Sequence, residues 1–228
     1  MTPQLDQQKK QRMKGVLLYL AAYLTVFFLL ERRHVVPYIL HTSFDNLIPF
    51  CSAFIIPYIS WYAYVAITVL FFTLFVDSES EFSRLATTFF IGNTLFLFIS
   101  FVFPNGHLLR PTLTGHDPLT QLVRLLYSID TSTNILPSMH VFNAVACCIA
   151  IHHNETLRRK PYIATFSNIL TVLIVLSTMF LKQHTVLDVL LALILNCICY
   201  SFIYKSNHFD QLLKTGFKTK HFKRKRLN

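Results

Sequence analysis

The stretch Thr133-Asn134-Ile135-Leu136-Pro137-Ser138-Met139-His140 places a proline, a hydroxyl and an imidazole directly ahead of the apolar run Val141 to Ile151. A second stretch, Lys182-Gln183-His184-Thr185-Val186-Leu187-Asp188, repeats that arrangement ahead of another apolar run. Each reads as an apolar helix whose polar chemistry is gathered at its head. The rest of the chain says what kind of helix this is. Of 228 residues, 53% are hydrophobic and only 14% charged, with 22 Phe and 5 Gly. A soluble domain carries about 25% charged residues, and runs of about 20 apolar residues are the unit that crosses a bilayer.

The expected fold is therefore all-α, a polytopic membrane helix bundle of six transmembrane helices with both termini cytoplasmic. The spans are read at about 15–30, 50–76, 84–103, 136–152, 163–181 and 185–204. The chain divides into a polar cytoplasmic tail over 1–13, the membrane domain over 14–206 and a basic cytoplasmic tail over 207–228. Pro104-Asn105-Gly106 ends the third span, and the long polar connection that follows contains an amphipathic piece, Pro118 to Ile129. Tyr58, Trp61 and Tyr62, near one end of the second span, are read as interfacial anchors.

The net charge of +10 does not point to nucleic acid. Lys9, Lys10, Arg12 and Lys14 precede the first apolar run, and Lys214, Lys218, Lys220, Lys223, Arg224, Lys225 and Arg226 follow the last. Terminal clusters of this kind fit the positive-inside rule and contact with anionic headgroups, and no nucleic-acid module accompanies them. The same asymmetry orients the bundle and puts both polar helix heads and the long third loop on the extracytoplasmic face. Glu31-Arg32-Arg33, rather than a small-residue cleavage site, follows the first run, which is thus a retained helix. With no long targeting segment before it, a bacterial cell membrane is the expected location, with the site facing outside. The five cysteines lack metal-ligand spacing and read as small buried hydrophobes.

Three polar groups converge on the outer face: Arg110-Pro111, Ser138 with His140, and His184 with Asp188. Residues four apart share a helix face, so Asp188 reaches the His184 imidazole, fixes its tautomer and strengthens it as a nucleophile. The two helix heads offer backbone N–H groups and a positive dipole end to an anion. Arg110 supplies a planar fork matched to phosphate oxygens, and Lys182 a point charge. Two histidines, a carboxylate, cations and a hydroxyl without a carboxylate cluster suit phosphoryl transfer with no metal and no cofactor. His107, His116 and Asp130 are further candidate contacts in the third loop. Ser177 is read as bonding a helix carbonyl, and His152 and His153 as lying on the opposite face.

These residues resemble, in order, the three signatures of the type 2 phosphatidic acid phosphatase superfamily, written K-x6-R-P, P-S-G-H and S-R-x5-H-x3-D. The resemblance implies that His184 forms a phosphohistidine, Asp188 orients it and His140 protonates the leaving group, while Arg110 and Ser138 hold the phosphate. The chain departs from the signatures at Phe103, Met139 and Thr178, where lysine, glycine and arginine are expected. Two phosphate-binding cations are thus missing, with Lys182 a candidate to replace one.

The leading expectation is a lipid phosphatase acting on a lipid phosphate ester or diphosphate, with membrane lipids as its surroundings. The absent lysine and the His-Thr-x-x-Asp spacing are also similar to the sphingomyelin and inositol phosphorylceramide synthase branch, which passes the phospho-headgroup to another acceptor. A catalytically silent transporter or scaffold is the third reading. The oligomeric state is left open.

Overall fold

The computed structural model describes residues 3–33, 37–206, 209, 211 and 215. The basic cluster from Lys214 onward, read as a cytoplasmic tail, lies outside the described residues. Helix α1 (Pro3–Glu31) leads through β1 (Tyr38–Ile39), the short α2 (Ser43–Leu47) and a 3-10 turn at Ser52–Phe54 into α3 (Ile55–Leu74). Then follow α4 (Glu79–Val102), β2 (Asn105–Gly106), α5 (Pro118–Ile129), α6 (Met139–His153), α7 (Glu155–Arg158), α8 (Pro161–Phe180) and α9 (Val186–Cys199). The last helix is extended by a π turn at Tyr200–Tyr204.

The protein is nearly all helical, and five helices are long and apolar enough to cross a membrane: Leu5–Glu31, Ser52–Leu74, Glu79–Val102, Pro161–Phe180 and Val186–Tyr204. The fourth expected span, α6, is apolar but only 15 residues long. It is the centre of the bundle. Nine of those 15 residues are buried, and α3, α4, α8 and α9 all pack against it. The outer helices instead leave large apolar side chains exposed, such as Phe28, Ile67, Phe98, Phe166 and Ile194. A bundle with apolar side chains facing outward all round is built for a lipid surround.

The first helix begins earlier than the apolar pattern predicts. The stretch 1–13 reads as a polar tail, yet α1 is helical from Pro3. Lys9 and Arg12 are buried, with ion pairs to Asp77 (2.6 Å) and Glu79 (2.7 Å). Arg12 also donates to the Val76 carbonyl at 2.6 Å. The acidic turn between α3 and α4 thereby satisfies charges that would otherwise fray the helix start.

The strands β1 and β2 are a two-residue parallel pair that ties the first loop to the third. Phe103, standing where the signature has lysine, stacks on Tyr38 at 4.7 Å between centroids and fastens this pair. The amphipathic piece forms α5 as expected: Val123 and Leu126 pack on Ile55, Tyr58 and Leu181, while Leu122, Leu125 and Ile129 are exposed.

Gly92 lets α4 approach α6 closely. A Cβ there would lie 2.0 Å from the Phe142 ring, which is fully buried. The ring has nowhere to retreat, so Gly92→Ala overpacks the α4–α6 contact and destabilises the protein by about 1–3 kcal/mol. Thermal unfolding in detergent micelles measures this as a lowered Tm.

Candidate active site

The turn from α8 into α9 positions the catalytic candidates. Lys182 takes a left-handed backbone conformation (φ 51) just past the end of α8, the place where glycine is usual. The N–H groups of Gln183 and His184 both donate to the Thr178 carbonyl, at 2.9 and 3.1 Å. Thr178, the position where the signature has arginine, therefore acts through its backbone, its hydroxyl bonding the Val175 carbonyl. Thr185 caps α9 by accepting from the Asp188 N–H.

His184 Nδ1 and Asp188 Oδ2 are 2.6 Å apart, and the Thr185 hydroxyl donates to the other carboxylate oxygen. Asp188 is fully buried. An acceptor-only carboxylate assigns the proton to Nδ1 of His184, leaving the lone pair on Nε2. That nitrogen faces His140 Nδ1 at 3.4 Å. Ser138 caps α6, its hydroxyl accepting from Val141 N–H, and its own N–H donates to the Asp188 carbonyl at 3.1 Å. The heads of α6 and α9 are thus tied together, and the first N–H groups of α6, those of Met139 and His140, point out of the helix without an intrahelical acceptor.

Arg110 donates to the carbonyls of Tyr127 (3.2 Å) and Asp130 (2.6 Å) and to the Gln183 side-chain oxygen, with its guanidinium over the Tyr127 ring at 4.4 Å. Burial lowers the Arg110 pKa and raises that of Tyr127 to about 12. Tyr58 donates to the Asp130 carboxylate at 2.6 Å, and its ring lies 4.6 Å from that of His140. These contacts close on themselves. Arg110 leads to Gln183, Gln183 is followed by His184, His184 meets His140, His140 lies on Tyr58, and Tyr58 reaches Asp130 and so Arg110.

Around this ring four buried nitrogens have no hydrogen-bond partner: Arg110 Nε, Gln183 Nε2, His140 Nε2 and, on a ring tilted against that of His140 at 4.4 Å between centroids, Trp61 Nε1. Buried polar atoms without a partner are costly and rare. Three of the four, on Arg110, Gln183 and Trp61, are N–H donors, and their gathering around one ring is the arrangement of a site that receives an acceptor-rich group.

Of the sequence candidates, the structure brings Arg110, Ser138, His140, His184 and Asp188 together, and Asp130 joins them through Tyr58. Lys182 goes elsewhere. Its ammonium donates to the carbonyls of Asp45 (2.7 Å) and Ile48, and burial lowers its pKa. Asp45 returns the contact, accepting from Val186 N–H at 2.7 Å, so a side chain from the first loop occupies the head of α9 that the sequence offers to an anion. Tyr58 and Trp61, read as interfacial anchors, are walls of the site. Tyr58 is fully buried, and its spacing to Trp61 and Tyr62 puts the three on one helix face. Gln183 carries no signature that singles it out. Ser177 bonds the Ile174 carbonyl as read, and His153 packs against Tyr200 and Tyr204 at the other end of α6.

His107 is a structural link. Its Nε2 donates to the Gln183 carbonyl (2.9 Å), and its Nδ1 accepts from Leu109 N–H (3.1 Å). Burial holds the pKa down at about 4, against 6.5 ordinarily. The unfolded chain therefore binds one more proton between those values, and this group's contribution to stability is lost as the pH falls through that window. His107→Gln is expected to make the fall in Tm between pH 6.5 and about 4 shallower than in the wild type.

Residues 110–211 match the family model of the PAP2 superfamily. No curated protein and no solved structure matches the chain significantly. The matched segment begins at Arg110 and takes in every member of the ring except Tyr58, including both histidines, and Asp188 beside it. The match over residues 110–211, together with helices apolar enough to cross a membrane, supports membership of the type 2 phosphatidic acid phosphatase superfamily.

Proposed function

We propose that this protein is an integral membrane enzyme that hydrolyses a phosphate ester of a lipid through a phosphohistidine on His184. We place the site on the extracytoplasmic side of a six-span bundle whose termini both face the cytoplasm, with α6 as the short central span. Superfamily membership supports phosphatase or phosphotransferase chemistry on phosphate esters. The observation that carries the finer reading is the closed ring of Arg110, Gln183, His184, His140, Tyr58 and Asp130, with its unpartnered buried nitrogens.

In this reading Nε2 of His184 attacks phosphorus while Asp188 and Thr185 hold the ring in its tautomer and stabilise the positive charge that develops. His140 Nδ1, facing that nitrogen in the resting form, carries the proton that the departing oxygen takes. The phosphoryl group enters between the two rings, so substrate opens the 3.4 Å contact. Arg110 and the N–H groups at the head of α6 that lack an intrahelical acceptor, with Ser138 as its cap, stabilise the transferring group. Water then attacks the phosphohistidine, returning its proton to His140.

Purified His184→Ala is expected to lose lipid phosphate turnover and to form no acid-labile, alkali-stable phosphoenzyme. Undiminished turnover would sink the assignment. His140→Gln is expected to lower kcat about 10²- to 10⁴-fold on an alkyl ester. Its deficit should be much smaller on a nitrophenyl ester, whose leaving oxygen needs no proton. An equal deficit on both esters removes His140 from the acid role. Activity should withstand chelators throughout.

A further inference from the structure

We infer that Gln183 is a direct ligand of the substrate phosphate and that, as a neutral donor beside a single guanidinium, it tunes the site to a singly charged phosphodiester. This rests on the proposed phosphohistidine reading and names the substrate class for the same site. Gln183 is 2% exposed. Its Oε1 is held by Arg110 and its backbone carbonyl by His107, so its position is fixed from two sides. Its Nε2 has no partner, and neither has Nε of the Arg110 that holds it. The two residues thus offer two buried N–H donors from one hydrogen-bonded pair, directly before the nucleophile in the chain.

The charges around the ring limit what these donors can hold. The positions at which the superfamily signatures carry further cations are Phe103 and Thr178, and both side chains are engaged in packing or helix bonding. The Lys182 ammonium is bound to the carbonyls of Asp45 and Ile48. Arg110 is therefore the one guanidinium in the ring, which also contains the carboxylate of Asp130 and abuts that of Asp188. A phosphate monoester dianion brings two negative charges into a buried site with one permanent positive charge. A diester brings one, and its second ester oxygen needs only neutral donors of the kind Gln183 and Trp61 supply. In the diester reaction the His184 Nε2–phosphorus bond forms as one phosphorus–oxygen ester bond breaks, and the departing alcohol oxygen takes the proton from His140. A hydroxyl of water or of an alcohol then attacks phosphorus, its proton passes to His140, and the phosphorus–nitrogen bond breaks.

The test uses the full chain in detergent micelles with two lipids of equal acyl chains: phosphatidylglycerol, a diester with an uncharged headgroup, and phosphatidate, a monoester. Wild type is expected to show the larger kcat/KM on the diester. Gln183→Leu and the isosteric Gln183→Glu are each expected to lower that value by about 10- to 100-fold, the loss of one hydrogen bond to a charged group. Gln183→Lys is expected to shift the preference toward phosphatidate. A wild-type preference for phosphatidate overturns the charge assignment. Wild-type kcat/KM on both lipids in Gln183→Leu and Gln183→Glu, with Tm unchanged, overturns the role of Gln183. Turnover of neither lipid by the wild type, or undiminished turnover by His184→Ala, overturns the underlying function instead.

Discussion

The hydrogen bond between His184 Nδ1 and Asp188 Oδ2, one helical turn apart at the head of α9, is the contact on which the site depends. A fully buried carboxylate among apolar helices is costly unless each oxygen is met by a donor. Here the imidazole meets one and the Thr185 hydroxyl the other. The same segment is then used from outside. Ser138 N–H bonds the Asp188 carbonyl, and Asp45 bonds Val186 N–H. Chain segments far apart in sequence are thereby registered on one helix start, and Nε2 of His184 takes part in none of these bonds, facing His140 Nδ1 instead.

Several helices were legible as apolar runs of the length a bilayer demands, and Pro118 to Ile129 as an amphipathic piece, whereas the cap at Ser138 starts α6 three residues later than the apolar pattern suggests. The errors have a common cause. Helix α1 reaches back to Pro3 because the acidic turn between α3 and α4 pairs with Lys9 and Arg12, a contact between segments some 67 residues apart that no local pattern encodes. The site divides in the same way. His184 with Asp188 was readable from helical spacing, and Thr185 three residues before Asp188 is a capping pattern. Lys182 was misleading because its charge is visible in the sequence while its partners, two backbone carbonyls of the first loop, are not. Gln183 was invisible for the opposite reason: an uncharged amide gains meaning only once Arg110 fixes one end of it.

The shortness of α6 accounts for the depth of the site and for the long loop above it. At one end, Asn154 donates to Glu81 at 2.7 Å and so sets the end of α6 level with the start of α4. From that shared level α4 runs for 24 residues and α6 for 15. At about 1.5 Å per residue they rise about 36 and about 22 Å, which leaves the head of α6 about 14 Å short of the far end of α4 before any tilt. Ser138 and His140 therefore lie at the bottom of a step in the bundle. Something must fill that step without stranding backbone polar groups in an apolar zone. The segment between α4 and α6 does so: β2 pairs with β1, Asn105 accepts the N–H groups of Ile135 and Leu136, α5 lays its apolar face on α3, and Arg110 and His107 reach down to Gln183. A recessed floor needs a polar lining that bonds to itself, and Arg110 Nε and Gln183 Nε2 are donors that this lining leaves unsatisfied.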